Sequence, residues 1–500
     1  MLHFRNFAVA PAFVLLMGGT AHAALTADQI WQGWQDSAAA VGIALSAATE
    51  SRGDGVLTLN GLRIGLVGHD EAATVSFLTL TEVGDGSVLI EPGDSISFAQ
   101  EDDGLSATAE LTHEGFALVA SEGEAGAIHY DFAADTLEVN FSAEAEGYSF
   151  TDEPAQPLVT GGAMSFTDLA GRYSDTPGAN RVFDLAVAVA GVSYEISSED
   201  PNFGSSSHTS SETEDVTLGA SLTLPSGIAL TEIESGAQFS TALREGLALS
   251  MAGSQGVSVA TSHEANEFFP MEVSATGQPG SWAFVADQER IALESESEGL
   301  SFQLNMPELP APLELTMGTA RFDMLVPVIT GGESGDYALS FSIVDILASD
   351  AAWDMFDPEG VLPRDPAALN VDLSGSLVVD LPDFLVGGDA SVAEPVLESL
   401  DIADISVSVA GAALQAVGAF VFDNSLGTPV PNGEADVTLT GATGLIAGLS
   451  ALGLISEMDA AMASAMIDAY MVPGDAPDSL EARIEIDENG MAFVNGQPLQ

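Results

Sequence analysis

From about residue 55 onward, apolar and polar residues alternate with a period of two, in short segments separated by Gly, Asp and Asn. In an extended chain successive side chains point to opposite faces, so this alternation predicts strands with one apolar and one polar face. It is clear at Val75–Thr81, Val88–Glu91, Leu105–Thr112 and Phe116–Ser121, with Gly84-Asp85-Gly86 marking a turn. Leu57-Thr58-Leu59 and Leu62-Arg63-Ile64 flank Asn60-Gly61, the form of a hairpin about an Asn-Gly turn. Turn signals at this spacing predict an antiparallel meander.

Composition sets what such sheets can meet. The 500 residues contain 75 acids against 10 basic residues, all ten of them arginine, for a formal charge of -65. Hydrophobic residues make up 46%, too many for a disordered acidic chain. So anionic a surface repels phosphate backbones and lacks the cations whose counterion release drives nucleic-acid binding. Nucleic acid is excluded as a partner, and anionic lipid headgroups are repelled. Cations are expected as screening counter-ions, in keeping with a saline setting. With no cysteine, disulfides, thiolate catalysis and cysteine metal sites are impossible.

Residues 1–23 have the form of a secretory signal peptide. His3 and Arg5 precede a short apolar stretch, Phe7–Met17, and Ala21-His22-Ala23 supplies a small-x-small cleavage site before Ala24. No cysteine follows for a lipid anchor, and no later run approaches the length that spans a bilayer. Pro498-Leu499-Gln500 in place of a terminal aromatic strand argues against an outer-membrane barrel. The expected compartment is the periplasm, with secretion as the alternative. Thr26-Ala27-Asp28-Gln29 then resembles a capping box. Ile30, Trp34, Ala38, Val41 and Leu45 recur at helical spacing, which predicts an amphipathic helix capping the first sheet.

The interior carries a duplication. Tyr130–Phe150 aligns without gaps on Trp282–Phe302, with 8 of 21 positions identical, including Asp135/Asp287 and Glu-x-Glu-Gly-x-Ser-Phe in both copies. The same offset pairs Asp184-Leu185-Ala186 with Asp336-Tyr337-Ala338, and Val216–Pro225 resembles Val371–Pro382. A mainly β, α+β fold of two tandem related, curved antiparallel units follows. The expected division is a signal peptide at 1–23, an N-terminal amphipathic helix and linker at 24–54, and a first β-unit at 55–225. A second, duplicate β-unit follows at 226–385, and a C-terminal α+β region at 386–500. A helical turn at Asp350–Phe356 is ended by Asp357-Pro358. After the strand at Ile405–Val409 come helices at Thr443–Leu452 and Met458–Tyr470, separated by Gly453 with Ser456 as a cap, and a last hairpin at Leu480–Val494. The apolar face Met458, Met462, Ala465, Met466 and Ala469 is expected to pack on the final sheet.

No catalytic motif is found. Without lysine there is neither a phosphate-binding P-loop nor Schiff-base chemistry, and Gly-x-Ser-x-Gly and His-Glu-x-x-His are missing. His69, His113, His129, His208 and His263 include no pair at local zinc-clip spacing. Glu101-Asp102-Asp103, Glu212-x-Glu214-Asp215 and Glu294-x-Glu296-x-Glu298 fit no calcium loop, and the last reads as one solvated strand face. No catalytic, cofactor or metal residues are therefore assigned.

Three segments resemble the uncharacterised exported alphaproteobacterial family catalogued as domain of unknown function 2125. They are Ile30-Trp31-Gln32-Gly33-Trp34, Trp353…Phe356-Asp357-Pro358…Leu362-Pro363-Arg364-Asp365-Pro366, and the tail from Val437-Thr438-Leu439-Thr440-Gly441 to Asn495-Gly496-Gln497-Pro498. The resemblance implies an exported envelope protein and no known catalytic residues. The expected function is non-enzymatic binding or scaffolding, with a protein partner or an apolar ligand. The sharper alternative is a carrier whose open β-groove shelters a lipid-like molecule, and a hydrolase of unrecognised type is the least favoured. One prediction follows from charge alone. Like-charge repulsion weakens with screening, whose length falls to roughly 10 Å at 0.1 M salt, so sodium chloride should raise the thermal midpoint from its low-salt value. A flat response in melting curves would show that the acids are already compensated locally.

Overall fold

The computed structural model describes residues 24–40, 43–66, 72–93, 95–102, 105–147, 155–226, 228, 236–266, 270–381, 395–425, 427–476 and 478–499. The expected signal peptide at 1–23, Val41, Tyr148–Phe150 of the first repeat copy, and the boundary at 386 lie outside them. The fold is mainly β, with 64% strand against 12% helix, so helices can cover only a small part of the sheet surface. The chain divides into two compact units, 1–272 and 273–500. The boundary read from the sequence, 225/226, falls inside the first of these.

The first unit opens with α1 (Ala27–Ala40). Its capping box is formed: Thr26 donates its N–H to Gln29 Oε1 at 3.0 Å, and Gln29 N–H returns to Thr26 Oγ1 at 3.3 Å. The strands that follow are β1 (Ile43–Gly53), β2 (Val56–Leu66), β3 (Ala72–Glu82), β4 (Val88–Pro92), β5 (Ser95–Asp102), β6 (Leu105–Glu114) and β7 (Ala117–Glu122). Longer strands come next: β8 (Ile128–Ala145), β9 (Leu158–Thr176), β10 (Asn180–Asp200) and β11 (Ser205–Pro225). After a short helix α2 (Gly236–Arg244), β12 (Ala248–Gln255) and β13 (Ser258–Ala265) finish the unit. The ladders are antiparallel, mostly between strands adjacent in sequence, and the shorter strands pair end to end along one partner. Thus β4 and β5 both pair β3, β6 and β7 both pair β8, and β12 and β13 both pair β11.

Two readings are corrected here. Asn60-Gly61 does not turn the chain: it lies within β2, where Gly61 (φ 59°) interrupts the ladders to β1 and β3. The turn is Asp54-Gly55, both at positive φ, the two-residue type that matches strand twist. Leu45 belongs to β1, not to the helix.

The interruption at Gly61 has counterparts along the sheet. The ladder breaks at Gly115 between β6 and β7, at Asp135 and Asp168 in β8 and β9, and at Ala190 and Asp215 in β10 and β11. Gly61, Gly115, Asp168 and Asp215 all have positive φ. Gly115 suits its break through its positive φ of 64°, a conformation that other residues adopt at a cost. Each break shifts the apolar positions by one residue. In β8 they run Tyr130, Phe132, Ala134 and then Leu137, Val139, Phe141, with β9 following as Tyr173, Gly171, Leu169 and then Phe166, Met164. Irregularities of this kind increase twist and bend.

The packed core spans the break at Gly61, with Leu57, Leu59, Leu78 and Leu80 on one side and Leu62, Ile64 and Val75 on the other. Ile30, Trp31, Trp34 and Ala38 of α1 are buried against Leu57, Leu59, Leu78, Leu80, Ile90, Leu118 and Tyr130. Trp31 also donates its indole N–H to Glu50 Oε1 at 3.0 Å, holding that carboxyl below the ordinary glutamate range with help from Arg52.

At the division lies β14 (Met271–Gly277). The second unit then contains β15 (Gly280–Ala286), β16 (Arg290–Ser297), β17 (Leu300–Asn305), β18 (Leu313–Met317), β19 (Ala320–Pro327) and β20 (Gly335–Ala348). A short helix α3 (Asp350–Asp354) leads to β21 (Ala367–Val378), β22 (Val396–Val409), β23 (Ala412–Asp423) and β24 (Val430–Thr440). Helices α4 (Ala442–Ala451) and α5 (Glu457–Tyr470) follow, then β25 (Val472–Pro473), β26 (Ser479–Ile486), β27 (Ala492–Val494) and β28 (Gln497–Pro498). Ser456 caps α5 by accepting Asp459 N–H, and Gly453 turns the chain at φ 71°.

Part of the duplication folds alike, since Asp184 faces Ser221 as Asp336 faces Ser376, but the ungapped segments do not. Residues 130–145 form one continuous strand within β8, whereas 282–297 form the β15–β16 hairpin. The cause is local. Asp287 Oδ1 accepts the N–H groups of Glu289 and Arg290 at 2.8 and 2.9 Å and closes a turn. At the matching place Asp135 is followed by Thr136 and Leu137, which stay extended against Thr167 and Phe166.

The Trp353–Pro366 segment is a compact knot. Arg364 bridges Asp350 and Asp354 at 2.7 and 2.8 Å and lies 5.9 Å from the Trp353 ring. Asp357, with no exposed surface, accepts the N–H groups of Val361 and Leu362 at 2.8 and 2.9 Å. Enclosure opposes its ionisation, but the N–H groups of Leu362 and Val361, with Arg364, outweigh it and hold the carboxyl below its ordinary 3.8.

Two predictions come from this packing. Trp34→Ala should cost about 3–5 kcal/mol in urea unfolding, whereas Met462→Ala, at an exposed position, should stay within about 0.5 kcal/mol. Because the folded value of Asp357 is depressed, its stabilisation is present above the ordinary value of 3.8 and lost as pH falls through the folded one. The gap in thermal midpoint between wild type and Asp357→Asn should therefore be widest near neutrality and close in acid.

Candidate apolar binding face

In an antiparallel pair, residues directly opposite share a face. Followed across the second unit, the register produces continuous rows. One runs Leu293, Met324, Leu339, Leu373, Ile402, Gly418, Ala435 and Ile484, through β16, β19, β20, β21, β22, β23, β24 and β26. The next is Ser295, Phe322, Phe341, Val371, Ile405, Ala416, Val437 and Ala482. A third begins at Ile343 and continues Leu369, Val407, Leu414, Leu439 and Leu480. Eight strands at about 4.8 Å spacing make this face about 34 Å wide.

The opposite face is acidic and hydroxylic. Glu294, Asp323, Ser340, Asp372 and Asp404 form one row, and Ser406, Gln415, Thr438 and Glu481 another. Arginines staple it: Arg321 to Asp323 at 2.6 Å, and Arg483 to Glu434, with Glu485 at 3.3 Å and Asp436 at 3.7 Å. Glu294 and Glu296 lie near Arg321 on this solvated side.

What distinguishes the apolar face is its burial. Its large side chains are half-buried, shielded by in-sheet neighbours, and Val407 is 39% exposed. Only the small Ala435 and Ala482 in these rows are buried. A second layer would bury such rows fully, as α1 does for Leu57, Leu59 and Leu80 of the first unit. Among the described residues the large side chains of these rows are not fully buried, and helix α4 (Ala442–Ala451) touches β23.

Other groupings are structural or incomplete. Asp175, buried, is held by both Nε and Nη2 of Arg181, whose guanidinium lies 4.9 Å from the Phe183 ring. Beside them, burial pushes the Tyr130 and Tyr173 hydroxyls well above the ordinary tyrosine range. This arrangement closes the end of the α1 core. The fold also sets His208 opposite His263, a proximity invisible in linear spacing, with His263 Nε2 3.8 Å from Glu272 and His208 Nδ1 3.0 Å from Ser197 Oγ. Among the described residues no group of three His, Asp or Glu side chains is placed to hold a metal. His129, Ser174 and Asp184 stand in one cross-strand row, yet His129 Nδ1 is buried without a hydrogen bond, so no relay to a serine is assembled. A shallow depression beside α1 is lined by Asp28, Gln29, Gln32, Glu50 and Arg52, and its carboxylates Asp28 and Glu50 are tied up by Arg52.

Sequence reasoning assigned no site residues and expected an open β-groove only as the alternative, without assigning the residues that line it. Its continuity depends on register. Trp31 and Trp34 are core residues. No helix among the described residues is long and apolar enough to cross a membrane. Comparison of the chain with family models, with characterised proteins and with solved structures finds no match.

Proposed function

We propose that this is an exported, non-enzymatic binding protein of the cell envelope, which carries a lipid-like ligand on the open apolar face of its second unit. The observation that carries the reading is the three rows of large aliphatic and aromatic side chains left only half-buried. Apolar patches larger than a few hundred Å² on a soluble protein mark sites that something else covers. Acyl chains fit the dimensions. A chain spanning one leaflet is about 15 Å long, half of a hydrocarbon core of about 30 Å, against a face about 34 Å wide. Each methylene withdrawn from water contributes about 0.8 kcal/mol. The acidic reverse face does not compete for such a ligand. Export to the periplasm, with cleavage before Ala24, and kinship with the domain of unknown function 2125 family belong to the same reading.

Mass spectrometry of organic extracts of the protein purified from a periplasmic fraction should find copurified lipid. Phe341→Asp and Leu373→Asp, at the centre of the rows, should lower that yield several-fold and weaken uptake of a fluorescent fatty acid by the same factor. Lipid-free native protein that also fails to take up the probe would overturn the assignment.

A further inference from the structure

In a chain with 75 acids, residues 437–456 carry no charge. They include the end of β24, all of α4 and the turn into α5. Helix α4 packs against β23 and α5, and its Gly448 fits over the Leu362 side chain, where a Cβ would stand 2.5 Å from Cδ2. Helix α5 presents Met458, Met462 and Met466 to solvent at 77%, 59% and 58% exposure, with Tyr470 and Leu454 also exposed. The expectation that these methionines pack on the last sheet is therefore corrected. The helix rests on its other side, through the half-buried Ala460, Ala463 and Ile467.

The charge distribution selects the occupant. Almost everywhere else the surface repels anions, and no Lys or Arg lies on α4 or α5 to draw acidic lipid. A basic partner would be attracted to the acid-rich sheet face in preference to the methionine stripe. What an uncharged α4 beside an exposed methionine stripe without Lys or Arg does match is the interface of a zwitterionic bilayer. Amphipathic helices seat their apolar face about 5–10 Å into such an interface, methionine adapts its shape to acyl chains, and a tyrosine ring settles at headgroup level. Glu457, Asp459 and Asp468 rim the stripe and remain in water.

We propose that the α4–α5 hairpin docks the protein on neutral phospholipid, bringing the ends of β23 and β24, and with them the apolar face, to the membrane surface. This rests on the ligand-carrying role above, and gives the place where the ligand would enter or leave.

The chain has no cysteine, so Ala465→Cys offers a single attachment point on the stripe for an environment-sensitive fluorophore. With the mature full-length protein, vesicles of phosphatidylethanolamine and phosphatidylcholine should shift the dye to the blue and carry the protein up in flotation. Met462→Glu with Met466→Glu should weaken vesicle partitioning at least tenfold, leaving the thermal midpoint and vesicle-free uptake of fluorescent fatty acid unchanged. Adding phosphatidylglycerol should weaken binding. The idea is overturned if the dye ignores neutral vesicles, if binding requires anionic lipid, or if the shift follows protein concentration without vesicles, which would identify a second copy as the occupant. Failure here with intact fatty-acid uptake would leave the ligand-carrying role standing, while loss of uptake alone would remove that role and not the docking.

Discussion

Strands with one apolar and one acidic face must put the apolar face out of water, and this chain has very little with which to do so. Helix makes up 12% of it, and among the described residues α1 is the helix seated on a buried core. There Ile30, Trp31 and Trp34 meet Leu57, Leu59 and Leu80. In the second unit the same kind of strand carries the same kind of face with its large side chains only half-buried. Fold and function are linked through that shortage, since a face of this size left half-buried is stable in water only if something else attends to it.

The ladder breaks follow from the same constraint. Long antiparallel strands twist, and a face tens of ångströms wide stays coherent only if each strand is re-aimed where twist would rotate its apolar side away. In the first unit Gly61, Gly115, Asp168 and Asp215 provide the positive-φ positions at which this happens. Aspartate suits such a place because its short carboxylate can satisfy nearby backbone while tolerating the left-handed region. In the second unit the register shifts between Ile343 and Ile346, and again between Ile402 and Ile405, and isoleucine returns to the same face each time.

Much of this was legible in the sequence. Strand content, the α1 capping box, the helical turn at Asp350, the Ser456 cap and the final hairpin all rest on local chemistry, which spacing reveals. Readings failed where a short motif had two solutions. Asn60-Gly61 could turn the chain or interrupt a strand, and the choice was made by Asp54-Gly55 a few residues earlier. Asp135 and Asp287 begin similar phrases, but Thr136 and Leu137 favour extension where Gln288 and Glu289 accept a turn. The open face and the exposed methionines were hidden for another reason. Periodicity reveals that a side is apolar, and only tertiary structure reveals whether anything lies against it.

The acidic reverse face has a mechanical consequence. Glu294 sits directly opposite Asp323, and Asp372 opposite Asp404, across strands about 4.8 Å apart. That spacing is inside the screening length of roughly 10 Å at 0.1 M salt, so neighbouring carboxylates repel almost unscreened while distant rows do not. Repulsion confined to one side of a sheet acts as a bending moment: it spreads the charged surface and draws the apolar surface inward. Arg321 and Arg483 relax it only locally. The charge that keeps the protein apart from other anions therefore also loads one side of the sheet mechanically, and salt lightens that load.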